Sequence, residues 1–242
     1  MNVVVVIQAR MGSTRLPGKA LLDVGGRPVL EHVVRRCQAA QRVDAVVVAT
    51  TSDPADDALD ALANRLGAGI VRGSVDDVLD RYHAAAAAYT AGYIVRVTGD
   101  CPFIDPAFID ACVDVCRTGH YDYMANDGKG YMRGFDVEVM TRAALDTAWQ
   151  EAQAPFERTH VTPFLYQHPQ RFSLYHMDWP GAPAEQRLPL DTEADLHVLR
   201  AVADHFGSMD NVSWRAIVDY LDRHPDLAAM NRHIHQKDLA EG

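Results

Sequence analysis

Val3-Val4-Val5-Val6-Ile7 stands near the start of the chain and runs directly into Gln8-Ala9-Arg10-Met11-Gly12-Ser13-Thr14-Arg15-Leu16-Pro17-Gly18-Lys19. Five β-branched residues in a row leave no polar face, which is typical of a strand buried on both sides in a parallel sheet. Further strands are predicted at 45–50, 69–72 and 93–98, each separated from the next by a helical pattern. This alternation predicts an α/β fold with right-handed crossovers. Ligands bind such sheets at the carboxyl ends of the strands, where the first loop (residues 8–19) begins.

The first loop has the composition of an anion site. Residues 1–22 contain no acidic residue, and the loop's cations and hydroxyl donors are Arg10, Ser13, Thr14, Arg15 and Lys19. Gly12 and Gly18 allow a close backbone approach or a positive φ. A cationic, donor-rich loop on a rigid strand suits a polyphosphate, and a surface loop with solvated arginines is the alternative. It is not a P-loop, because five residues separate the two glycines and Ala20 follows Lys19.

Length and composition limit the class of protein. A chain of 242 residues, 48% of them hydrophobic, can form one α/β domain or two small ones. The net charge of -10 argues against nucleic acid or an anionic membrane as a partner. No signal-peptide pattern and no apolar run of membrane-spanning length is visible. We therefore expect a soluble, cytoplasmic protein.

The sulfur and imidazole groups show no metal-binding spacing. The four cysteines are Cys37, Cys101, Cys112 and Cys116, and no two of them form a C-x-x-C pair. Cys112 and Cys116 would share one helix face, where a buried thiol pair in a reducing compartment is favoured over a metal pair. The eleven histidines show no zinc motif.

One aspartate stands where a cation could bind, and a second stands at a predicted helix start. Asp100 lies in Thr98-Gly99-Asp100-Cys101-Pro102, at the carboxyl end of the fourth predicted strand. A carboxylate there suits a hard cation, and a helix cap or turn aspartate is the alternative. Asp191 precedes Thr192, a good N-cap residue with acidic residues in the turn that follows, so a helix start explains it.

Polar side chains also cluster in the second half of the chain. Gly134–Met140 alternates apolar with acidic residues, which predicts a strand with Asp136 and Glu138 on one face, towards a ligand or towards water. The block 155–163 contains Glu157, Arg158 and His160, and a surface helix start is its simpler explanation.

Residues 231–242 are polar, which predicts a frayed tail in which His233 and His235 are not ligands.

The first loop resembles the corresponding loop of the cytidylyltransferases that activate acidic sugars, including the acylneuraminate and 3-deoxy-manno-octulosonate enzymes. Met11, Thr14 and Ala20 make it most similar to the branch named for spore-coat polysaccharide synthesis. Three further blocks resemble these enzymes in the same order along the chain. They are Gly-Asp and Pro around Asp100, the Gly-x-Asp-Val-Glu-Val strand with block 155–163, and Leu-Asp-Thr at 190–192. Together with the first loop, these blocks cover roughly residues 3–200.

This resemblance implies a nucleotide-diphospho-sugar transferase fold of the glycosyltransferase A type. We expect one three-layer α/β/α domain over residues 1–242, with a mainly parallel mixed sheet. An extension at about 120–180 would cover the acceptor and form the contact of a homodimer.

The implied reaction is Mg²⁺-dependent transfer of CMP from CTP to an acidic sugar or sugar-like acceptor, with release of pyrophosphate. The resemblance makes Asp100 and Asp191 the metal ligands and, with Arg10 and Lys19, the catalytic residues. The nucleotide-binding residues would be Ala9, Arg10, Gly12, Ser13, Arg15, Lys19, Arg72, Ser74 and Asp77. The acceptor-binding residues would be Arg133, Asp136, Glu138, Glu157, Arg158 and His160.

Two alternatives remain at this stage. One is a transferase of the same fold that uses a different nucleotide. The other is a non-catalytic nucleotide-binding protein. Met11 and Ala20 differ from the glycine and asparagine common in acylneuraminate enzymes, which argues against a true sialic acid as the acceptor.

Overall fold

The computed structural model describes residues 1–179 and 185–234. Its strands are β1 (Asn2–Gln8), β2 (Asp23–Val24), β3 (Arg27–Pro28), β4 (Ala45–Thr51), β5 (Gly69–Gly73), β6 (Ala91–Thr98), β7 (Tyr123–Ala125), β8 (Glu138–Thr141) and β9 (Leu174–His176). Its α-helices are α1 (Val29–Gln38), α2 (Asp57–Arg65), α3 (Val78–Ala88), α4 (Pro106–Thr118), α5 (Arg142–Glu151), α6 (Pro155–His160), α7 (Pro163–Tyr166), α8 (Glu193–Phe206), α9 (Trp214–Asp222) and α10 (Pro225–Ala229).

Seven strands form one mixed sheet in the order β5-β4-β1-β6-β8-β7-β9. β1 pairs in parallel with β4 and with β6, and β4 pairs in parallel with β5. β8 is antiparallel to both of its neighbours, and β9 is parallel to β7. The predicted mainly parallel mixed sheet is therefore confirmed. Gln8 is in register with Ala49 and with Thr98, so the loops that follow β1, β4 and β6 leave the same edge of the sheet.

Helices cover both faces of the sheet. Val3 to Ile7 of β1 are all at most 1% exposed, as expected for a central strand. Val3, Val5 and Ile7 pack in a core with residues of α1, α2 and α4, and Val4 and Val6 pack in a second core with residues of α3 and α5. A third core joins β2 to α8 and α9. The α/β/α layering follows from the alternation of the sequence. Within the described residues, no helix combines the length and the apolar composition needed to cross a bilayer.

The strand predicted at 134–140 is wrong in its first half, because β8 begins only at Glu138. Gly134 has φ of +101°, and a Cβ there would lie 2.7 Å from the backbone of Leu188. The chain turns at this glycine to meet the segment before Asp191, with Leu188 N donating to Arg133 O at 3.0 Å. Asp136 consequently lies outside the sheet, so it does not share a strand face with Glu138.

The predicted polar tail differs from the structure at its first residue, Asn231. Asn231 is 2% exposed and hydrogen-bonded to Arg187 and Asp195. His233 is exposed, whereas His235 and the rest of 235–242 lie outside the described residues. Residues 120–179 contribute β7–β9, which continue the main sheet, together with α5–α7. Their role in acceptor binding and dimerisation stays a prediction.

All four cysteines are buried free thiols. Cys112 and Cys116 lie in α4 and pack in the core, so the buried thiol pair is confirmed. Burial raises the pKa of Cys116 to about 12, which keeps this thiol protonated at neutral pH.

Candidate functional site

Lys19 joins two carboxylates that are far apart in sequence. Its Nζ lies 2.6 Å from Asp100 Oδ2 and 2.9 Å from Asp191 Oδ1. Arg15 Nη2 is 2.8 Å from the same Asp191 oxygen. Asp100 follows β6 and Asp191 precedes α8, and Leu190 N donates to Asp100 O at 2.7 Å, which ties the two segments together. The structure thus assembles the first loop and both predicted metal ligands at the carboxyl edge of the sheet.

The charges of this cluster stabilise one another. Burial alone would raise the pKa of Asp100, but Lys19 and the Thr98 hydroxyl, 2.6 Å from Asp100 Oδ1, lower it overall. Burial alone would lower the pKa of Lys19, and the two carboxylates raise it instead. Both groups are therefore charged at neutral pH. Their side chains are about a fifth exposed, 17% for Lys19 and 23% for Asp100, so a ligand has access to them.

Asp100 and Asp191 fit a divalent cation. Both offer carboxylate oxygens, and Lys19 shows that one positive group can contact both at once. Among residues 1–179 and 185–234, no group of three or more His, Cys, Asp or Glu side chains could hold a metal ion. Mg²⁺ commonly binds through one or two carboxylates, with water and substrate phosphates as its other ligands. The pair therefore matches a cation that arrives with a nucleotide.

Asp191 is held from behind by a residue that the sequence analysis did not identify. Arg187 Nη2 lies 3.0 Å from Asp191 Oδ2, and Arg187 Nε lies 3.0 Å from Asp195 Oδ1. All three side chains are at most 5% exposed. An arginine four residues before an aspartate is a weak signal in sequence, because only the turn before α8 brings the two groups together.

Asp56 anchors the first loop and was likewise missed as a site residue. Its Oδ1 accepts from Met11 N at 2.7 Å. Its Oδ2 accepts from the Thr50 hydroxyl at 2.8 Å and from Thr51 N at 3.0 Å. In sequence Asp56 looks like one of several acids at a helix start. In the structure this carboxylate, 1% exposed, ties the first loop to the end of β4.

We expect Asp56→Ala to destabilise the protein by on the order of 3 kcal/mol, because it leaves several buried donors without an acceptor. The loss is measured as the free energy of unfolding in urea. Asp53→Ala, in the loop after β4, is the control: the Asp53 side chain accepts from Ala55 N at 2.9 Å as a helix cap, so a loss of about 1 kcal/mol is expected. Equal losses in the two variants would contradict the anchoring role of Asp56.

The predicted nucleotide-binding residues fall into two groups. Arg10, Gly12 and Arg15 are exposed on the first loop, where Ala9 and Ser13 are half-buried. Arg72 instead donates to Thr51 O and Asp53 O, both at 2.8 Å, and pairs with Asp57 at 2.6 Å. Its guanidinium is thus committed to the loop after β4.

Two further predicted nucleotide residues lie beyond β5. Ser74 is exposed and its hydroxyl accepts from Asp76 N at 3.2 Å. Asp77 caps α3 by accepting from Asp80 N at 2.9 Å and pairs with Arg158, whose Nη2 lies 2.6 Å from Asp77 Oδ2. Arg158 was predicted on the acceptor side, and this pair brings it beside the predicted nucleotide residues.

Arg81 is a candidate that sequence analysis missed. It is 3% exposed, and its Nε and Nη1 have no hydrogen-bond partner among the described residues. Burial lowers the pKa of Arg81, and the nearby charge of Arg10 lowers it further. The Arg81 side chain packs against Gly73 at the end of β5. Its neighbour Arg10 lines a cleft together with Met11, Gly12, Thr51, Asp56 and Val75.

The predicted acceptor residues are not gathered in one place. Arg133 is exposed, and Asp136 Oδ2 accepts from Gly134 N at 2.7 Å. Burial raises the pKa of Asp136 to about 6, with the charges of Asp100 and Glu138 acting in the same direction. Their proximity places Asp136 on the Asp100 side of the site.

The other acceptor candidates make structural contacts. Glu138 pairs with Arg96. Glu157 is buried, and its Oε2 accepts from Gln153 N at 3.1 Å and Ala154 N at 3.0 Å at the start of α6. His160 is half-buried at the end of the same helix. Contact of these residues with an acceptor stays a prediction.

Two carboxylates facing a cationic, donor-rich loop at the carboxyl edge of a mainly parallel sheet define an α/β enzyme of the nucleotidyltransferase class. A family model described as cytidylyltransferase matches residues 4–202, and the chain belongs to the cytidylyltransferase family. The resemblance read from the first loop and the three later blocks is thereby confirmed.

Relatives match between two thirds and the whole of the chain. The uncharacterized protein MJ1063 of Methanocaldococcus jannaschii is 36% identical, with 100% of this chain and 99% of that protein covered. The spore coat polysaccharide biosynthesis protein SpsF of Bacillus subtilis is 31% identical over 94% of this chain and 97% of its own. A 3-deoxy-manno-octulosonate cytidylyltransferase of Anaeromyxobacter dehalogenans is 39% identical over 66% of this chain and 71% of its own.

Solved structures show the same fold. A cytidylyltransferase from Leptospira borgpetersenii superimposes with a TM-score of 0.90 at 32% identity, covering 98% of this chain and 100% of that one. Rv0371c from Mycobacterium tuberculosis, in complex with manganese, gives a TM-score of 0.59 at 20% identity, covering 83% and 99%. At that identity the second likeness concerns the fold alone.

Proposed function

We propose that this cytidylyltransferase transfers CMP from CTP to an acidic sugar or sugar-like acceptor, in a reaction that requires Mg²⁺ and releases pyrophosphate. The observation that carries the proposal is the placement of Lys19 between Asp100 and Asp191, beside Arg15. The names of the relatives support the acceptor class, since one is a 3-deoxy-manno-octulosonate cytidylyltransferase and another acts in spore coat polysaccharide biosynthesis. Manganese in the structure of Rv0371c supports a divalent cation on this fold.

The chemistry is an in-line displacement in which the acceptor oxygen attacks the α-phosphorus and pyrophosphate leaves. The main tasks of the protein are to position the reactants and to neutralise charge. Arg10, Arg15 and Lys19 bind the triphosphate and stabilise the leaving pyrophosphate. Asp100 and Asp191 would hold the divalent cation, which would supply Lewis-acid chemistry and lower the pKa of the attacking hydroxyl.

The remaining candidates divide between base and acceptor. Parallel strands are spaced about 4.8 Å apart, so a nucleotide whose α-phosphate lies near Asp100 extends over β1 and β4 towards β5. Arg81, whose Nε and Nη1 have no hydrogen-bond partner in the described part of the chain, then meets the nucleoside near the end of β5. Arg158 is already paired with Asp77, whereas Arg133 is exposed near Asp191 and binds the acceptor carboxylate.

The deciding experiment measures thermal unfolding with CTP, UTP, ATP and GTP, each with and without Mg²⁺, for the wild type and for Asp100→Ala. We expect CTP to stabilise the wild type selectively, and we expect this stabilisation to depend on Mg²⁺. In Asp100→Ala the dependence on Mg²⁺ should be lost. Pyrophosphate release from CTP is then measured with 3-deoxy-manno-octulosonate, other acidic sugars and neutral sugars. Equal stabilisation by all four nucleotides, or by none, would contradict the use of CTP. Release that occurs only with neutral sugars would contradict the acidic acceptor.

A further inference from the structure

The last described segment of the chain closes on the side of Asp191 that faces away from Lys19. Asn231 is 2% exposed, and its Nδ2 donates to Arg187 O at 3.1 Å and to Asp195 Oδ1 at 2.8 Å. Three residues later, Ile234 O accepts from Arg187 Nη1 at 3.0 Å. A carbonyl and a carboxylate can only accept, so these two partners determine which end of the Asn231 amide faces them.

Both partners of Asn231 act directly on Asp191. Arg187 Nη2 lies 3.0 Å from Asp191 Oδ2. Asp195 Oδ2 accepts from Asp191 N at 3.0 Å, so the same neighbour holds the backbone of this residue. The other oxygen, Asp191 Oδ1, is the one that faces Arg15 and Lys19. Asp191 is thus held through one carboxylate oxygen and through its N–H, while its second oxygen points into the site.

The chemistry of Asn231 suits this arrangement. The connected ion pairs already balance in charge, with Arg15, Lys19 and Arg187 against Asp100, Asp191 and Asp195, so a further charge here would unbalance the cluster. A neutral amide supplies two hydrogen bonds without adding charge. Partners that orient a metal ligand from behind commonly determine how well the ligand binds its cation.

We propose that Asn231 is a positioning residue of the catalytic centre, holding Arg187 and Asp195 so that Asp191 presents Oδ1 to the cation. The proposal rests on the proposed function in one respect, the assignment of a divalent cation to Asp100 and Asp191. It extends the catalytic machinery to residues 231–234, beyond the part of the chain that matches the family model.

The test uses Asn231→Leu, which has a similar size and no donor, and Asn231→Ala, which leaves room for a water molecule to take over the donors. Arg232→Ala is the matched control, because Arg232 is the exposed neighbour whose Nη1 lies 3.4 Å from Glu185. Thermal unfolding is followed at saturating CTP while MgCl₂ is titrated, and with CTP and EDTA alone. We expect the leucine variant to need about 10-fold more Mg²⁺ for half of the stabilisation. Stabilisation by CTP without metal stays unchanged.

The possible outcomes separate the two proposals. Unfolding without any ligand is recorded for each variant, so a general loss of stability is distinguished from a weaker response to Mg²⁺. If both Asn231 variants need the same Mg²⁺ concentration as the wild type for half of the stabilisation, the proposal is overturned, even if their unfolding temperatures are lower. Asn231 would then only anchor the C-terminal segment. A wild type that gains nothing from Mg²⁺ at saturating CTP would overturn the cation assignment itself, and this inference with it.

Discussion

Lys19→Met is expected to lower kcat by about 10²–10³-fold, the loss typical of removing one preorganised donor to a developing negative charge. The same substitution should increase the stabilisation that Mg²⁺ gives in the absence of nucleotide. Lys19 Nζ contacts the two oxygens that the cation is proposed to use, so ammonium and cation compete for them. Without the ammonium, Asp100 and Asp191 are two like charges that a divalent cation neutralises.

The two effects are measured separately. Turnover is followed as pyrophosphate release from CTP with the acceptor that the screen identifies, and the Mg²⁺ response is followed as a shift in unfolding temperature. Lys129→Met is the control, since Lys129 is exposed on the loop after β7 and should respond to Mg²⁺ as the wild type does. If Lys19→Met gains no more from Mg²⁺ than the wild type, the cation does not use the oxygens that contact Lys19.

Arg96→Met is expected to lower the free energy of unfolding by about 3–5 kcal/mol, because it leaves Glu138 as an unpaired buried charge. Arg96 and Glu138 face each other across β6 and β8, with side chains 16% and 15% exposed. Glu138 Oε1 also accepts from the Tyr123 and Thr162 hydroxyls, at 2.5 and 2.8 Å. Burial alone would lower the pKa of Arg96, but the Glu138 carboxylate raises it.

The loss is measured by urea unfolding, with Arg171→Met as the matched control. Arg171 forms a bidentate pair with Glu151, but their side chains are 40% and 46% exposed, so a much smaller loss of stability is expected. The double variant Arg96→Met/Glu138→Gln should recover part of the stability, since it removes the unpaired charge. Similar losses for Arg96 and Arg171 would show that the Arg96–Glu138 pair is not an important support of the sheet.

The partner of Glu138 could not be predicted from the sequence. Alternation of polar and apolar residues suggested that Glu138 faces water or an acceptor. Nothing local to residues 134–140 indicates that Arg96, 42 positions earlier, lies opposite. Glu157 is a contrasting case, because its capping of α6 matches the simpler explanation that the sequence already offered.

Local patterns in the sequence were enough for the α/β class, the buried first strand, most helices and the cationic first loop. Each depends on residues close together in the chain, such as the β-branched run from Val3 to Ile7. Composition and spacing alone left Asp100 open between a cation site and a helix cap, and they explained Asp191 as a helix start. The resemblance added the metal role of both. Both aspartates contact Lys19, from which Asp100 is 81 positions away in the chain and Asp191 is 172 positions away. These contacts therefore exist only once the sheet is folded.

Only the tertiary structure decided which polar groups are free and which are committed. Arg72 and Arg158 look like available cations in sequence, yet each is bound within the protein. Asp56, Arg187 and Asn231 look like a helix start, a loop residue and a tail residue, yet they are hydrogen-bonded to Met11, to Asp191 and to Arg187, respectively. The physical reason is that a side chain's partners depend on burial and on distances across the fold. Periodicity reports which face of an element is apolar, whereas the groups that meet at a site come from segments that the packing brings together.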